Sequence, residues 1–314
     1  MKVLIITPHL STGGQPQYLL KKIETLQHSV EFSVVEWSDI TGGKYIVQRS
    51  KIKDILNSNF YSLGQQKTEI FNILSILKPE VIHFEEIPET FVSKEILDAI
   101  YNQSRSWKIV VTTHSSQTDF KNLTYLADKF VLVSEWSKSE FMSQIPEIDC
   151  EVWEYPTEYV DYDKSKHQLK LGFDPHIKHV LNVGLFTPGK NQKELVELAR
   201  VCQVKKLPIE FHFVGNQAVN FQEYWLPIMQ QLPSNCTVHG ERSDVDDFYK
   251  ASDVFYFPSL MELNPISVKE ALSFRLPIFL KNLHTYSQDL ISQSNLISND
   301  VDINLQNICK ILGI

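Results

Sequence analysis

Two glutamates stand eight residues apart in the segment Phe257-Pro-Ser-Leu-Met-Glu262-Leu-Asn-Pro-Ile-Ser-Val-Lys-Glu270. The pattern predicts the end of a strand, then a turn that holds Glu262, then a helix that carries Glu270. The first amides of a helix are unpaired and lie at the positive end of its dipole, so this helix start suits a phosphate. Carboxylates repel phosphate but hold hydroxyls. The combination predicts a nucleotide sugar, and two capping or surface carboxylates are the alternative.

A second segment offers a cation. Asn182-Val-Gly184-Leu-Phe-Thr-Pro-Gly-Lys190 is typical of a strand, a turn and a helix start. Taken alone, Lys190 is better explained as a solvated lysine at a helix entry.

Together the two segments resemble the retaining glycosyltransferases of family 4, which have the GT-B fold. That family carries a Glu-x7-Glu pattern after a Pro-Ser turn, and Glu262 and Glu270 match its two glutamates. The resemblance implies that Glu262 holds sugar hydroxyls, Glu270 holds the ribose, and Lys190 neutralises charge on the departing diphosphate. Gly184 matches the family's phosphate loop, and the helix start that would bind the donor comprises Asn264, Pro265 and Ile266.

Three features depart from the family pattern. Leu185 stands where many members have arginine, so one cation is absent from the phosphate loop. Arg275 stands where the family commonly has glycine before Leu-Pro, which changes a local turn. The chain after the helix predicted over Leu305–Leu312 is also shorter than the usual tail, whose last helix crosses back to the first domain.

The first half of the chain holds weaker matches. Gly13 and Gly14 follow the first predicted strand, and adjacent glycines let the backbone approach a ligand. A tight strand-to-helix turn is the alternative, and the Gly-x-Gly-x-x-Gly of nicotinamide and flavin enzymes is absent. His114 follows another strand, at the edge where open α/β sheets bind ligands. In the family, the glycines lie near the reacting phosphate and sugar, and a histidine here lies near donor and acceptor.

Three charged segments are predicted to lie outside the catalytic site. Glu85 and Glu86 follow a strand and are predicted to be surface carboxylates, with contact to the acceptor as the alternative. Residues 244–246 contain the Asp-x-Asp of manganese-dependent transferases, but Ser243 with Asp246 three residues on resembles a helix cap, so we predict capping and no metal site. The basic stretch 42–53 is predicted to be solvated surface, with a loop that faces the acceptor as the alternative.

Short apolar runs alternate with helix-length amphipathic stretches, which predicts βαβ units and parallel sheets. The predicted strands are 3–6, 32–36, 81–84, 109–112, 130–133, 180–183, 211–214, 254–257 and 278–280. The predicted helices are 16–26, 65–77, 91–102, 138–143, 192–204, 222–231, 245–250, 267–274 and 305–312. The fold class is therefore α/β. By the resemblance it is GT-B, with two Rossmann-like domains facing each other across a cleft, 1–156 on the acceptor side and 157–314 on the donor side.

Composition supports two domains and limits the partners. The 314 residues are too many for one ordinary core. The net charge of -8 argues against nucleic acid as a partner and against broad contact with an anionic membrane. The four cysteines form no Cys-x-x-Cys pair, and the N-terminal apolar run is too short for a signal peptide. We predict a cytoplasmic protein with at most peripheral contact at the inner membrane face.

The predicted function is transfer of a sugar from a UDP-, GDP- or ADP-sugar to a glycan, a lipid-linked sugar or a small molecule. His114, Glu262 and Lys190 are the predicted catalytic residues. The family implies retention at the anomeric carbon, and the cationic groups predict that no metal or other cofactor is needed. An epimerase of the same fold and a catalytically weak nucleotide-sugar-binding protein are the alternatives.

Overall fold

The computed structural model describes residues 1–11, 13–40, 46–217 and 219–314, which divide into two compact units, Met1–Tyr155 and Pro156–Ile314. Within these residues, the first unit holds a sheet of seven strands and the second a sheet of six. Every strand pair in both sheets is parallel. The predicted α/β class with two Rossmann-like domains is confirmed.

The first sheet has the strand order β3-β2-β1-β4-β5-β6-β7. Its strands are β1 Lys2–Thr7, β2 Glu31–Glu36, β3 Phe60–Ser62, β4 Val81–Glu85, β5 Lys108–Thr113, β6 Lys129–Leu132 and β7 Asp149–Val152. The α-helices described in this unit are α1 Gly14–Leu26, α2 Val47–Leu56, α3 Glu69–Leu77, α4 Lys94–Ile100 and α5 Glu135–Gln144.

The second sheet has the strand order β10-β9-β8-β11-β12-β13. Its strands are β8 Lys178–Val183, β9 Ile209–Val214, β10 Cys236–Gly240, β11 Val254–Phe257, β12 Ile278–Leu280 and β13 Asn295–Leu296. The α-helices described here are α6 Lys164–Leu171, α7 Gln192–Val204, α8 Gln222–Gln230, α9 Val245–Ala251, α10 Ile266–Ser273, α11 Gln288–Ser292 and α12 Val301–Leu312.

Both faces of each sheet are covered, which explains the uninterrupted apolar runs in the sequence. In β1, Val3 and Ile5 pack into the core on one face, while Leu4 and Ile6 pack into the core on the other. This alternation follows from the two-residue period of a strand. Because neither face meets water, the central strand β1 reads Val-Leu-Ile-Ile from Val3 to Ile6 with no polar position among them.

The elements that the sequence analysis missed lie mostly at sheet edges or bury little. The missed strands are β3, β7, β10 and β13, of which β7 reads Asp-Cys-Glu-Val with no fully buried residue. Among the missed helices, α2 buries only Ile52 and α6 only Gln168. Short edge strands and helices with one buried residue carry no apolar period, so the sequence gives no signal for them.

Each sheet reverses its strand order at one point, between β1 and β4 in the first and between β8 and β11 in the second. In open parallel sheets, ligands bind beside such a switch point, outside the carboxyl ends of the strands. In the described part of the chain, no helix combines the length and the apolar character that crossing a bilayer requires.

Candidate functional site

In the second unit, the loop after β8 carries Gly184 and Lys190 and is tied to the loop after β9. The Gly184 amide donates to the Val214 carbonyl at 2.9 Å. A Cβ atom on Gly215, whose φ is +141°, would collide with the Gly184 carbonyl. Gly215 therefore allows the close approach of the two loops, a role that the sequence analysis did not assign. The side-chain hydroxyl of Thr187 accepts the Lys190 amide at 3.2 Å and so fixes the short helical turn Pro188–Lys190.

The structure brings Lys190 and Glu262 together. The Lys190 ammonium group donates to Oε1 of Glu262 and lies 5.2 Å from the centre of the Phe257 ring. The Ser259 hydroxyl donates to the same carboxylate oxygen at 2.6 Å. The two charged side chains are 30% and 10% exposed, so a ligand can reach the pair. The loops of β8 and β11 are joined here, because the Leu260 amide donates to the Gly189 carbonyl at 2.8 Å.

One buried polar side chain without a hydrogen-bond partner lies two residues after Glu262, and two more lie after β12. Both side-chain polar atoms of Asn264 are buried and have no hydrogen-bond partner among the described residues, and the hydroxyls of Thr285 and Tyr286 share that condition. Burial, together with the negative charge of Glu262, raises the pKa of Tyr286. The Tyr286 hydroxyl therefore lies within the electrostatic influence of the Glu262 carboxylate. An unpaired buried polar group costs about 1–3 kcal/mol, which makes such groups typical of sites completed by a ligand. Thr285 and Tyr286 were missed, although their place after β12 was a signal.

Helix α10 begins at Ile266, with Pro265 at its N-cap and no side chain capping it. The amides of Val268 and Lys269 donate to the Pro265 carbonyl, so the first free amides are those of Ile266 and its neighbour. Farther along the helix, Glu270 is half-buried, and its Oε2 accepts the Tyr249 hydroxyl at 3.0 Å. The helix thus presents amides at its start and a carboxylate one turn later, as the donor-site interpretation requires.

In the first unit, Gly13 is the N-cap of α1 and has a φ of +119°, which favours glycine. A Cβ atom there would meet nothing within 4 Å, so the backbone before Gly14 is open to a neighbour. His114 follows β5. Its ring packs edge-on against Tyr18, with centroids 4.9 Å apart, and its side chain is 21% exposed.

The predicted exposure of Glu85 was wrong. This residue was predicted to be a surface carboxylate, but it is fully buried and paired with the buried Lys22 of α1. His114 places Nε2 3.4 Å from Oε2 of Glu85, and Nε2 of His83 lies 3.8 Å from Oε1. Burial alone would raise the pKa of Glu85, but the charge of Lys22 and both histidines outweigh it and hold that pKa below its usual range. The prediction was wrong because β4 is central and ends beneath α1.

Glu86 is not a free surface group either. Its φ is +146°, a strained value for a residue with a side chain. Its carboxylate accepts the Thr113 hydroxyl at 2.8 Å, the Ile87 amide at 3.0 Å and the His114 amide at 3.3 Å. Glu85 and Glu86 therefore hold His114 from two sides, one through the ring and one through the backbone.

The acidic run before α9 forms ion pairs and no side-chain cap. The N-cap of α9 is Asp244, which accepts no capping bond and instead pairs with Arg242 at 2.7 Å. Asp247 pairs with His167 and Lys170, each at 2.6 Å. The predicted cap from Ser243 was wrong, because α9 begins at Val245 and its N-cap is Asp244, whose carboxylate pairs with Arg242.

The basic stretch 42–53 lies partly outside the described residues, since 42–45 are not described. The rest enters α2, where Arg49 donates to the buried carboxylate of Glu36 at 2.9 Å. The prediction of solvated surface is wrong for Arg49, which is 19% exposed and serves to neutralise a buried charge.

Comparison with known proteins gives the class of this fold. Residues 163–297 match the family described as glycosyl transferases group 1. The chain is 22% identical, over 62% of its length, to a processive diacylglycerol alpha-glucosyltransferase of Acholeplasma laidlawii. Over 32% of its length it is 32% identical to a UDP-Gal:alpha-D-GlcNAc-diphosphoundecaprenol alpha-1,3-galactosyltransferase of Escherichia coli. These alignments span 65% and 27% of the two relatives.

Solved structures resemble the whole chain. HepE of Anabaena, solved with UDP and glucose, superposes with a TM-score of 0.73 at 15% identity and covers 99% of this chain and 90% of its own. Sucrose-phosphate synthase of Thermosynechococcus elongatus gives a TM-score of 0.71 at 14% identity, with 100% and 90% covered. These likenesses establish the fold. The fold is GT-B, and the family match adds a similarity to glycosyl transferases group 1 within the second unit.

Proposed function

We propose that this chain transfers a sugar from a nucleotide-sugar donor to a sugar-containing acceptor, with retention at the anomeric carbon and without a catalytic metal. The observation that carries the proposal is the accessible ion pair of Lys190 and Glu262 at the second switch point, next in sequence to the unpartnered Asn264. These groups occur inside the segment that matches the glycosyltransferase family.

The ion pair suggests how a donor binds. In the free protein, Lys190 and Glu262 neutralise each other. A nucleoside diphosphate sugar gives each a new partner, since its phosphates take the ammonium and its sugar hydroxyls donate to the carboxylate. Charge on the diphosphate grows as the glycosidic bond breaks, so Lys190 contributes more in the transition state than in the ground state.

The other contacts to the donor are inferred from where the candidate residues lie in the fold. The free amides at Ile266 and beyond face the phosphates, as helix starts do in other phosphate sites. Glu270, fixed by Tyr249, binds the ribose hydroxyls. Gly13 and Gly14 offer open backbone to the reacting phosphate and sugar. Because HepE of Anabaena was solved with UDP-glucose, a UDP-sugar is the first donor to test.

His114 acts beside the transferred sugar and the acceptor in this proposal. Glu85 fixes the position of its ring, and Glu86 accepts its backbone amide. The ring lies on a rigid strand end with little rotational freedom, which is what substrate positioning requires. Glu85 touches no substrate in this scheme and is therefore a positioning residue.

Two experiments test the proposal. Thermal-shift measurements with UDP-, GDP- and ADP-sugars should show stabilisation by one of them, by about 2.7 kcal/mol at 100 times the dissociation constant. The rate of sugar transfer from that donor should then be unchanged by EDTA. The assay is run below the temperature at which the protein unfolds in EDTA. The proposal fails if no donor stabilises the protein, or if manganese restores an activity that EDTA has abolished.

An epimerase would convert the same donor in the absence of any acceptor. Incubation with nucleotide sugar alone therefore separates the two enzymes. Appearance of an epimeric nucleotide sugar without acceptor would replace the transferase proposal. Binding without turnover over a broad set of acceptors would favour the weak binding protein.

A further inference from the structure

Two histidines and a glutamate converge on one point near the amino-terminal ends of β8 and β9. His179 and Glu210 are paired across these strands, and His212 is two residues farther along β9 on the same face. Nδ1 of His179 lies 3.0 Å from Nε2 of His212. Oε2 of Glu210 lies 3.8 Å from the first nitrogen and 4.0 Å from the second. Among the described residues, these three form the one group with the spacing of metal ligands.

Neutral hydrogen bonds alone account for only part of this arrangement. His179, His212 and His239 can form a chain in which each ring donates one N–H to the next acceptor. In that chain Nδ1 of His179 accepts the N–H of His212, so neither nitrogen has a proton left for the nearby carboxylate. Yet Glu210 directs an oxygen toward both nitrogens, beyond hydrogen-bonding distance of each. A cation between the three atoms removes this conflict.

We propose that His179, Glu210 and His212 bind a zinc ion through Nδ1, Oε2 and Nε2, with water as the fourth ligand. The equidistant point in the plane of the three atoms lies about 2.1 Å from each, and an ion displaced slightly toward the water ligand stays close to the length of zinc bonds to imidazole nitrogen and carboxylate oxygen. The two histidine side chains are buried, while that of Glu210 is 42% exposed and leaves a path for the ion.

The surroundings orient the rings as zinc ligands are usually oriented. Nε2 of His179 lies 2.9 Å from the Asp174 carbonyl oxygen, so this nitrogen donates and leaves Nδ1 for the metal. Nδ1 of His212 lies 3.1 Å from Nε2 of His239, which can accept its proton when Nε2 binds zinc. Phe173 stacks on both rings, with centroids 4.5 and 4.0 Å away, and holds them in place.

The ion has a structural role in this proposal. His179 lies five residues before Gly184, or roughly 16 Å along the strand from the loop that carries the donor residues. Zinc at this distance ties β8 to β9 and stabilises the folded second unit without touching the donor. Metal removal should lower the unfolding temperature and leave transfer unchanged while the protein stays folded. A negative result for zinc would leave the transferase proposal standing.

The test uses the full chain without a polyhistidine tag, equilibrated with micromolar free zinc and then dialysed. Elemental analysis should give about one zinc per chain, and chelation should lower the unfolding temperature. Glu210→Gln should weaken zinc affinity at least about 10-fold, since losing even an outer-shell partner has that effect. Cobalt in place of zinc should give the strong visible absorption of a four-coordinate ion.

The exposed His176 and Glu223 supply matched controls, because His176→Ala and Glu223→Gln remove surface ligands elsewhere in the second unit. Both should bind zinc like the unmodified protein. The proposal is overturned if the protein binds no zinc, if Glu210→Gln binds it with unchanged affinity, or if His176→Ala removes it.

Discussion

Each unit has a lysine–glutamate ion pair beside the switch point of its sheet. The two pairs differ in how far their side chains are exposed to solvent. In the first unit, the side chains of Lys22 and Glu85 are 5% and 0% exposed. In the second unit, those of Lys190 and Glu262 are 30% and 10% exposed. The first pair is enclosed by other protein groups, which include His83 and His114. The second pair lies near polar atoms that have no protein partner.

This difference separates a pair that serves the fold from a pair that serves a ligand. A buried charge that loses its partner cannot recover its hydration, so loss of one member of the first pair strongly destabilises the unit. An accessible pair is worth little to stability, and an incoming diphosphate can replace one of its members. The same two residue types therefore play different roles because their surroundings differ.

The largest expected effect comes from breaking the buried pair. Lys22→Met leaves the Glu85 carboxylate without its cation and should destabilise the first unit by about 3–5 kcal/mol. Amide hydrogen exchange, followed separately in peptides from 1–155 and 156–314, should show the loss of protection in the first set. The matched variant Lys190→Met should change the protection of either set by less than about 1 kcal/mol.

A double variant tests whether the unpaired Glu85 charge causes the loss of stability. Lys22→Met with Glu85→Gln removes both charges and should recover much of the lost stability, because no uncompensated ion remains. Equal stability of Lys22→Met and Lys190→Met would mean that the two pairs do not differ as described.

Around the second pair the observed strands and helices agree with those predicted from the sequence, whereas the burial of Glu85 in the first pair was not predicted. Lys190, Glu262 and Glu270 lie in loops and helix starts after recognisable strands, and their order along the chain carries the information. The burial of Glu85 depends on which helix crosses the end of β4, and a carboxylate at a strand end has the same sequence signature whether it is buried or solvated. The available signal was Lys22, which sits on the apolar face of α1 beside Leu19 and Ile23.

Other misses have the same physical origin. The ion pairs of Asp247 with α6 and of Arg49 with Glu36 join separate elements, 80 residues apart for His167 and 13 for Arg49, so no pattern within one helix or strand encodes them. Thr285 and Tyr286 became candidates only when their hydroxyls proved to be buried and unpartnered. Local order predicts strands and helices, whereas the state of a polar side chain depends on its tertiary neighbours.

The second-largest expected effect is on the turnover number of the transfer reaction. Lys190→Met should lower turnover about 10²- to 10³-fold, or ~2.7–4 kcal/mol, with a much smaller change in donor affinity. The reason is that the ammonium group meets charge that develops only as the glycosidic bond breaks, and Leu185 supplies no replacement cation. Steady-state kinetics at saturating donor measures this directly. Unchanged turnover would disprove the phosphate role of Lys190 and direct attention to other cations after the strands, such as Lys281.

The smallest effect should come from Glu270, which sharpens the distinction inside the second unit. Glu270→Ala removes a carboxylate that binds ribose hydroxyls equally in the ground and transition states, so KM for the donor should rise while kcat stays constant. Loss of hydrogen bonds to a charged group costs about 1.5–3 kcal/mol, which corresponds to roughly a 10- to 150-fold increase in KM. Glu197→Ala, on the exposed surface of α7, is the matched control and should leave both constants unchanged. A fall in kcat with constant KM would place Glu270 at the reacting sugar instead of the ribose. The 3.0 Å contact with Tyr249, which holds Glu270 against α9, would then need another explanation.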